Sequence, residues 1–263
     1  TTSKALAKHF GFAYLDTGAM YRACAWWCLE RGIDLDAEHP DEQLITETVG
    51  AFFTEGHFDI GLNPDNPTVL ADGKDITMLI RDHEVSSHVS VVSSIIPVRN
   101  VLIAAQRAYI AGESSKDSYS EGAGIVAEGR DITTVVAPKA DVRVLLTARE
   151  EIRAARRAGQ SATGVGGDDV EARDKADSKV TSFLSAAEGV TTVDNSDMDF
   201  DQTLAALVSL VEDAVERRSY EEYAANLEGY ELEDEDRNLL EADGSVMDGD
   251  RYAAKQVGGL AVV

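Results

Sequence analysis

No apolar run in this chain approaches the ~18 residues that a spanning helix needs, so no membrane segment is expected. No charged-then-apolar leader opens it, so no secretory signal is read. Cysteine is scarce. Cys24 and Cys28 stand four apart in a helical stretch with no histidine beside them, which is too few ligands for a metal site. They read as buried, reduced thiols, and the cytoplasm fits such usage best. Cations are also few: 24 Lys and Arg face 48 Asp and Glu, for a net charge of −24. That balance excludes a nucleic-acid groove spread over the whole surface and leaves room for a local basic pocket. There is no internal repeat.

What is present is a chain of 263 residues, 44% of them apolar, enough for one large domain with an insert or two modest ones. "TTSKALAKHF" reads as a helix stopped by Gly11, and "FAYLD" as a buried strand. "GAMYRACAWWCLERG" is a helix ended by Gly32. Another helix covers Pro40 to Phe53. "HFDIGLN" and "TVLADGKDIT" alternate and carry Asp72-Gly73, a hairpin signal. Helices follow at Arg81–Ser94 and Pro97–Ala111, then a loop. "GIVAEGRD" and "DVRVLLTA" are buried strands. Arg149–Ala158 is a basic helix, and "GQSATGVGGDD" a loop. Asp169–Ala187 reads as helix, "VTTVDNS" as a last strand and Phe200–Arg218 as a last helix. Buried strands alternating with helices predict an α/β fold: a parallel sheet covered on both faces, interrupted by a small antiparallel insert. From Glu221 to Asp250 the chain is crowded with carboxylates and reads as a solvated acidic linker.

In an open parallel sheet, ligands bind beyond the carboxyl ends of the strands. Three strand ends carry polar groups: Asp16-Thr17-Gly18, Gly129-Arg130-Asp131 and Asp194-Asn195. Arg22 lies on the helix after the first, and Arg153, Arg156 and Arg157 follow the second. Helix capping would account for Asp16, Thr17 or Asp131, but not for the companion arginines. Clustered guanidinium groups suit phosphate, at about 1.5–3 kcal/mol for each charge-assisted contact.

"LDTGAMYR" resembles the "LDSGAxYR" stretch of bacterial cytidylate kinases. "EVSSHVSVVSSIIPVRNVLIAAQR" is similar to their second monophosphate-binding stretch, "IVAEGRDITTVVAPKADVRVLLTA" to their Gly-Arg-Asp strand, and "RDKADS" to their lid-side "RDxxDS". The four come in the family's order and span Thr1 to about Arg218. The resemblance implies a P-loop nucleoside-monophosphate-kinase fold. Residues 1–218 would form the kinase domain, with a monophosphate-binding insert near 35–100 and a lid near 149–178. It implies phosphoryl transfer from ATP, with Mg²⁺, to CMP or dCMP. By resemblance, Arg22 and Arg130 grip the CMP phosphate with Thr17 and Tyr21 beside them. Ser90, Arg99 and Asp131 read the cytosine, Arg173 and Asp177 face the sugar, and Arg153, Arg156 and Arg157 lie near the transferring phosphoryl group. Cytosine's amino donor suits a carboxylate or hydroxyl, and its ring nitrogen and carbonyl suit Arg; uracil reverses that edge.

Two departures stand out. The family continues "RDxxDS" with an arginine two residues on, where Lys179 and Val180 stand here. No G-x-x-x-x-G-K-[ST] occurs, the loop that cradles donor phosphates. In the family it precedes the helix that "TTSKALAKHF" matches. The first strand and loop are therefore expected to be absent, and ATP binding and turnover by a chain that begins at Thr1 to be poor. At the other end, "KQVGGLAVV" resembles the opening strand of a ribosome-assembly GTPase of the Der type. That suggests an acidic linker at 219–256 and a fused GTPase domain from 257–263 onward. Leu260–Val263 is apolar enough to enter the vacant strand position. The competing readings are a non-catalytic nucleotide-binding or linker module attached to such a GTPase, and a kinase for another small acceptor such as shikimate or AMP. The sequence names no chemistry for the hairpin insert, about Leu35 to Ile80, and identifies no partner for His57, His83 or His88.

Overall fold

The computed structural model describes residues 2–161, 186–227 and 260–262. Helix α1 (Thr2–Phe10) leads into β1 (Ala13–Asp16), and α2 (Thr17–Glu30) follows without a break. Helix α3 (Glu42–Thr54) precedes a meander of three short strands, β2 (Phe58–Ile60), β3 (Val69–Ala71) and β4 (Lys74–Asp75). A single 3₁₀ turn, Leu79–Arg81, brings the chain to α4 (His83–Ser94) and α5 (Ile96–Gly112). Next come β5 (Gly124–Glu128), a π turn (Ile132–Val136), β6 (Val144–Thr147) and α6 (Glu150–Ser161). After them lie β7 (Thr191–Asp194), α7 (Phe200–Leu227) and β8 (Leu260–Val262).

β1 and β5 pair in parallel, with Ala13 opposite Ile125 and Asp16 opposite Glu128. Their alternation divides the interior in two, because successive side chains point to opposite faces. Ala13, Leu15, Ile125 and Ala127 face a core built with α2, α3, α4, α5 and the antiparallel meander. Tyr14 and Val126 face a second core with α1, β6, β7 and α7. Both faces are covered, as near-continuous apolar strands require. The insert is pinned by aromatic rings: Trp27 of α2 stacks on Phe52 of α3 at 4.2 Å, and Phe52 meets Phe58 of β2 edge-on at 5.2 Å. Its hairpin turns at Asp72 and Gly73, both at positive φ (51° and 74°), the conformation that a two-residue loop of this hand demands.

Three features differ from the sequence reading. The expected single parallel sheet is divided: β1, β5 and β8 form one sheet and β6 with β7 another. The free edge of β5 is taken by β8, in parallel, with Val126 opposite Val262. The apolar C-terminal strand thus stands beside β5, but no second neighbour pairs with it among the described residues. The last helix also runs past Arg218 to Leu227, into the stretch read as linker. The segment after the Gly-Arg-Asp, which the sequence pattern left unassigned, is a π turn. The helix read at Asp169–Ala187 lies mostly outside the described residues.

Among the described residues no single helix is long and apolar enough to cross a membrane. The apolar pair α4 and α5 is bent by 99°. The break falls where Pro97 enters the first turn of α5, where its missing N–H costs nothing. Each helix buries its apolar residues inside the protein, Val85, Val89 and Val92 from α4 and Val98 and Leu102 from α5.

Candidate functional site

The carboxyl ends of β1 and β5 open into one cleft of about 460 Å³. Local chemistry builds its floor. Asp16 caps α2, its Oδ1 accepting from the Ala19 N–H at 2.9 Å, a cap that holds one helix-start donor and aims the carboxylate at the strand mouth. Thr17 does something else. Its hydroxyl donates to the Glu128 carbonyl at 2.7 Å, tying the end of β1 to the end of β5. Gly129 is required by that closeness: a Cβ there would lie 2.1 Å from Thr17 Oγ1 and 2.9 Å from Ile132 Cγ1. The fully buried Tyr14 donates its hydroxyl to Glu128 Oε1 at 2.7 Å, which fixes the carboxylate beside Asp16. Burial, then the Glu128 and Asp16 charges, push the phenol's pKa far up, so it stays a donor.

Four guanidinium groups line the cleft: Arg22, Arg81, Arg99 and Arg130. Arg22 rises from α2 with 22% of its side chain exposed. Its nearest carboxylate is Asp16, at 3.6 Å. Its Nε is buried with no hydrogen-bond partner. Burial draws its pKa down and the Asp16 charge opposes that; the group remains charged. A half-satisfied guanidinium out of water calls for an anion. Arg99 is differently placed. It is buried, bonds the buried Asp131 carboxylate through Nη2, and reaches the Ser93 carbonyl through Nη1 at 3.3 Å. Tyr21 lies beneath it, with the Arg99 Cζ 5.9 Å from the ring centroid. Asp131 heads the π turn, yet its side chain makes no capping bond; the carboxylate accepts from Arg99.

Arg81 was not read from the sequence. It ends the 3₁₀ turn that follows the antiparallel meander, so the insert does contribute chemistry. No local motif marks it; only the packing of that turn against α2 and α4 brings it to the cleft. His88 was also missed. Its Nε2 faces Asp36 Oδ1 at 2.9 Å and its Nδ1 faces the Glu84 carbonyl at 2.7 Å. Burial works against the charged ring, but those two acceptors outweigh it and raise its pKa. His57 stands between Asp72 and Glu55 at the insert's surface.

Of the residues singled out by sequence, the cleft brings together Thr17, Tyr21, Arg22, Arg99, Arg130 and Asp131. Ser90 is half-buried on α4, and the α4 residues that line the cleft are Val89 and Ser93. The arginines of α6 do not line it. Arg156 is bonded instead to Asn195, side chain and carbonyl both at 2.9 Å, beyond the end of β7. Arg153 stands one turn earlier, and Arg157 is placed by its backbone alone. Arg173, Asp177 and Lys179-Val180 lie outside the described residues. Cys24 and Cys28 are free and buried, and burial pushes the Cys28 thiol up to about 12, as inert core thiols.

Residues 1–213 match the family model described as cytidylate kinase. The chain is 40% identical over 220 residues to a cytidylate kinase of Streptomyces griseus subsp. griseus, covering 81% of this chain and 87% of that protein. It is 39% identical over 215 residues to one of Cutibacterium acnes (80% and 89%). With one of Exiguobacterium sibiricum the figure is 36% over 225 residues (82% and 92%).

Proposed function

The chain belongs to the cytidylate kinase family, and on that premise we propose that the cleft at the ends of β1 and β5 is the acceptor site, taking CMP or dCMP for phosphorylation by ATP. The observation that carries this reading is the meeting of Arg22, Arg81, Arg99 and Arg130 in one cleft, with the buried Nε of the half-buried Arg22 left without a partner.

The division of labour follows from the bonding of each side chain. Arg99 and Asp131 hold each other, and together they set a guanidinium donor beside a carboxylate acceptor in the lining of the cleft. Cytosine offers the complementary pair; uracil, with an N–H where cytosine has a bare nitrogen, would leave both protein groups facing like partners. Arg22, Arg81 and Arg130 take the phosphate. Thr17, whose hydroxyl proton already goes to Glu128, acts by holding the two strand ends together. Ser90 is kept as a reader of the base, with Ser93 as the rival on the same helix. Arg173 and Asp177 are assigned to the sugar. Arg153, Arg156 and Arg157 are assigned to the phosphoryl group in flight, for which Arg156 would have to release Asn195.

Phosphoryl transfer needs in-line placement and charge neutralisation more than covalent help. A magnesium ion brought in with the phosphates would meet the protein through the carboxylates of Asp16 and Glu128. Asp16 and Glu128 stand opposite each other in register; each has one oxygen hydrogen-bonded within the protein, and the second oxygen of Asp16 faces Arg22 at 3.6 Å. Mg²⁺ takes one or two carboxylates and fills its octahedron with water and phosphate oxygens. When bound, the ion neutralises charge on the phosphates.

Calorimetry with CMP, UMP and AMP tests the assignment. CMP should bind, UMP and AMP should bind at least about tenfold more weakly, and S90A set against S93A should show which serine meets the base. Equal affinity for CMP and UMP would refute cytosine reading by Arg99 and Asp131.

A further inference from the structure

The π turn that follows Gly129-Arg130-Asp131 is poised between two hydrogen-bond registers. The Asp131 carbonyl accepts from the Val135 N–H at 2.8 Å, the α-helical pairing, and from the Val136 N–H at 3.2 Å, the π pairing. Only one further π bond supports the wide register, Ala137 N–H to the Ile132 carbonyl at 2.8 Å. The π register is the rare one, and single π turns recur at functional sites. Its C-terminal carbonyls, which no continuing helix satisfies, are the place to hold it.

That place is taken by Arg107 of α5. Its Nε donates to the Val136 carbonyl at 3.0 Å and its Nη2 to the Val135 carbonyl at 2.7 Å. The two carbonyls follow one another in the chain, so the planar fork fixes their relative orientation as well as their distance, which a single ammonium could not do. Arg99 lies about two turns earlier on the same helix and grips Asp131 at the start of the segment. The α5 helix therefore clamps the cleft loop at both ends. Arg143 adds a bond to the Thr133 carbonyl at 3.3 Å, but its other arm goes to Glu188 at 3.0 Å, outside the turn.

We propose that Arg107 is a positioning residue for nucleotide recognition: by forking onto Val135 and Val136 it holds the π register and so sets where Arg130 and Asp131 stand in the cleft. The inference rests on the acceptor-site reading above. A collapse to the α register would rotate the first residues of the turn, and recognition of a base edge depends on sub-ångström placement.

The test uses R107M, R107K and, as reference, R99M in the full chain, with CMP and UMP affinities from calorimetry well below the melting temperature. R107M should weaken CMP by about tenfold and shrink the CMP-to-UMP ratio, while R107K, which keeps the charge and donors but not the planar fork, falls between R107M and the parent. Hydrogen exchange at the Val136 and Ala137 amides should speed up in R107M while the amides of β1 keep their protection. If R107M keeps CMP and UMP affinities within about twofold of the parent, whatever its melting temperature, Arg107 is structural only and the proposal is wrong. Should R107M fail to fold, R107K decides by the same two readouts. If R99M also leaves CMP affinity unchanged, the acceptor-site reading itself fails; if R99M loses affinity and R107M does not, only the present inference falls.

Discussion

The mouths of the two parallel strand pairs are built from similar residues and treat charge in opposite ways. At β1 and β5 the strands are buried on both faces, and their charges are drawn out of water: Arg99 and Asp131 have side chains only 10% and 5% exposed. At β6 and β7 the burial is partial, Leu146 is 41% exposed, and the charges sit in solvent. There Arg149 meets Asp197 through two bonds, at 2.9 and 2.6 Å, with side chains 47% and 81% exposed. Arg156 closes on Asn195. At the second mouth Arg149 and Arg156 are both bonded within the protein. The first leaves Arg22 short of partners and Arg81 with no ion pair among the described residues, so it is the one that asks for a ligand.

The comparison is broken most severely by R99M. It removes the guanidinium that the buried Asp131 carboxylate bonds, which costs about 3–5 kcal/mol by denaturant unfolding, and it removes cytosine reading, so CMP affinity should fall by at least about a hundredfold. Adding D131N should restore much of the stability and none of the affinity. If R99M proved as stable as the parent, the buried pair would be no different in kind from the exposed one.

R22M sharpens the contrast within the first mouth. Arg22 has one distant carboxylate and a buried, unpartnered Nε, so its loss should leave stability unchanged or slightly raised. CMP affinity should fall by about 10–100-fold, the equivalent of one or two charge-assisted phosphate bonds. A large stability loss with intact CMP binding would show Arg22 to be a structural cation.

The smallest effect belongs to the second mouth. Arg149 lowers the Asp197 carboxyl below its usual range, first by hydrogen bonding and then by charge. A depressed carboxylate contributes stability above its unfolded pKa and loses it as pH falls through the folded value, so any gain would be present at neutral pH and gone in acid. The pair is exposed, so R149M should match the parent in melting temperature at neutral pH and at pH about 3, and in CMP affinity. A clear neutral-pH drop in melting that vanished in acid would show this mouth to be as dependent on its charges as the other.

Much of the first mouth was legible. Asp16, Thr17, Arg22, Arg130 and Asp131 stand at strand ends marked by apolar runs that stop at polar residues, a local pattern. Arg99 came from resemblance alone, since nothing local distinguishes an arginine on an amphipathic helix. Arg81 and His88 were invisible because their partners lie far away in sequence: Arg81 meets the cleft through an insert, and His88 meets Asp36 across 52 positions. The α6 arginines were read from the strand end they follow; that strand stands in the other sheet, so their distance from the cleft was not legible in the sequence.

By itself the sequence determined the alternation of strands and helices, the hairpin at Asp72-Gly73 and the polar residues at the strand ends, because each follows from periodicity or backbone freedom within a few residues. Only the tertiary structure decided which strand took the edge of β5, which mouth gathered its arginines into one cleft, and that "ITTVV" would wind into a π turn rather than extend. Those outcomes turn on who reaches an open carbonyl or an unpaired charge first, and α5, through Arg99 and Arg107, reaches the Asp131–Val136 segment from about 30 residues away in the chain.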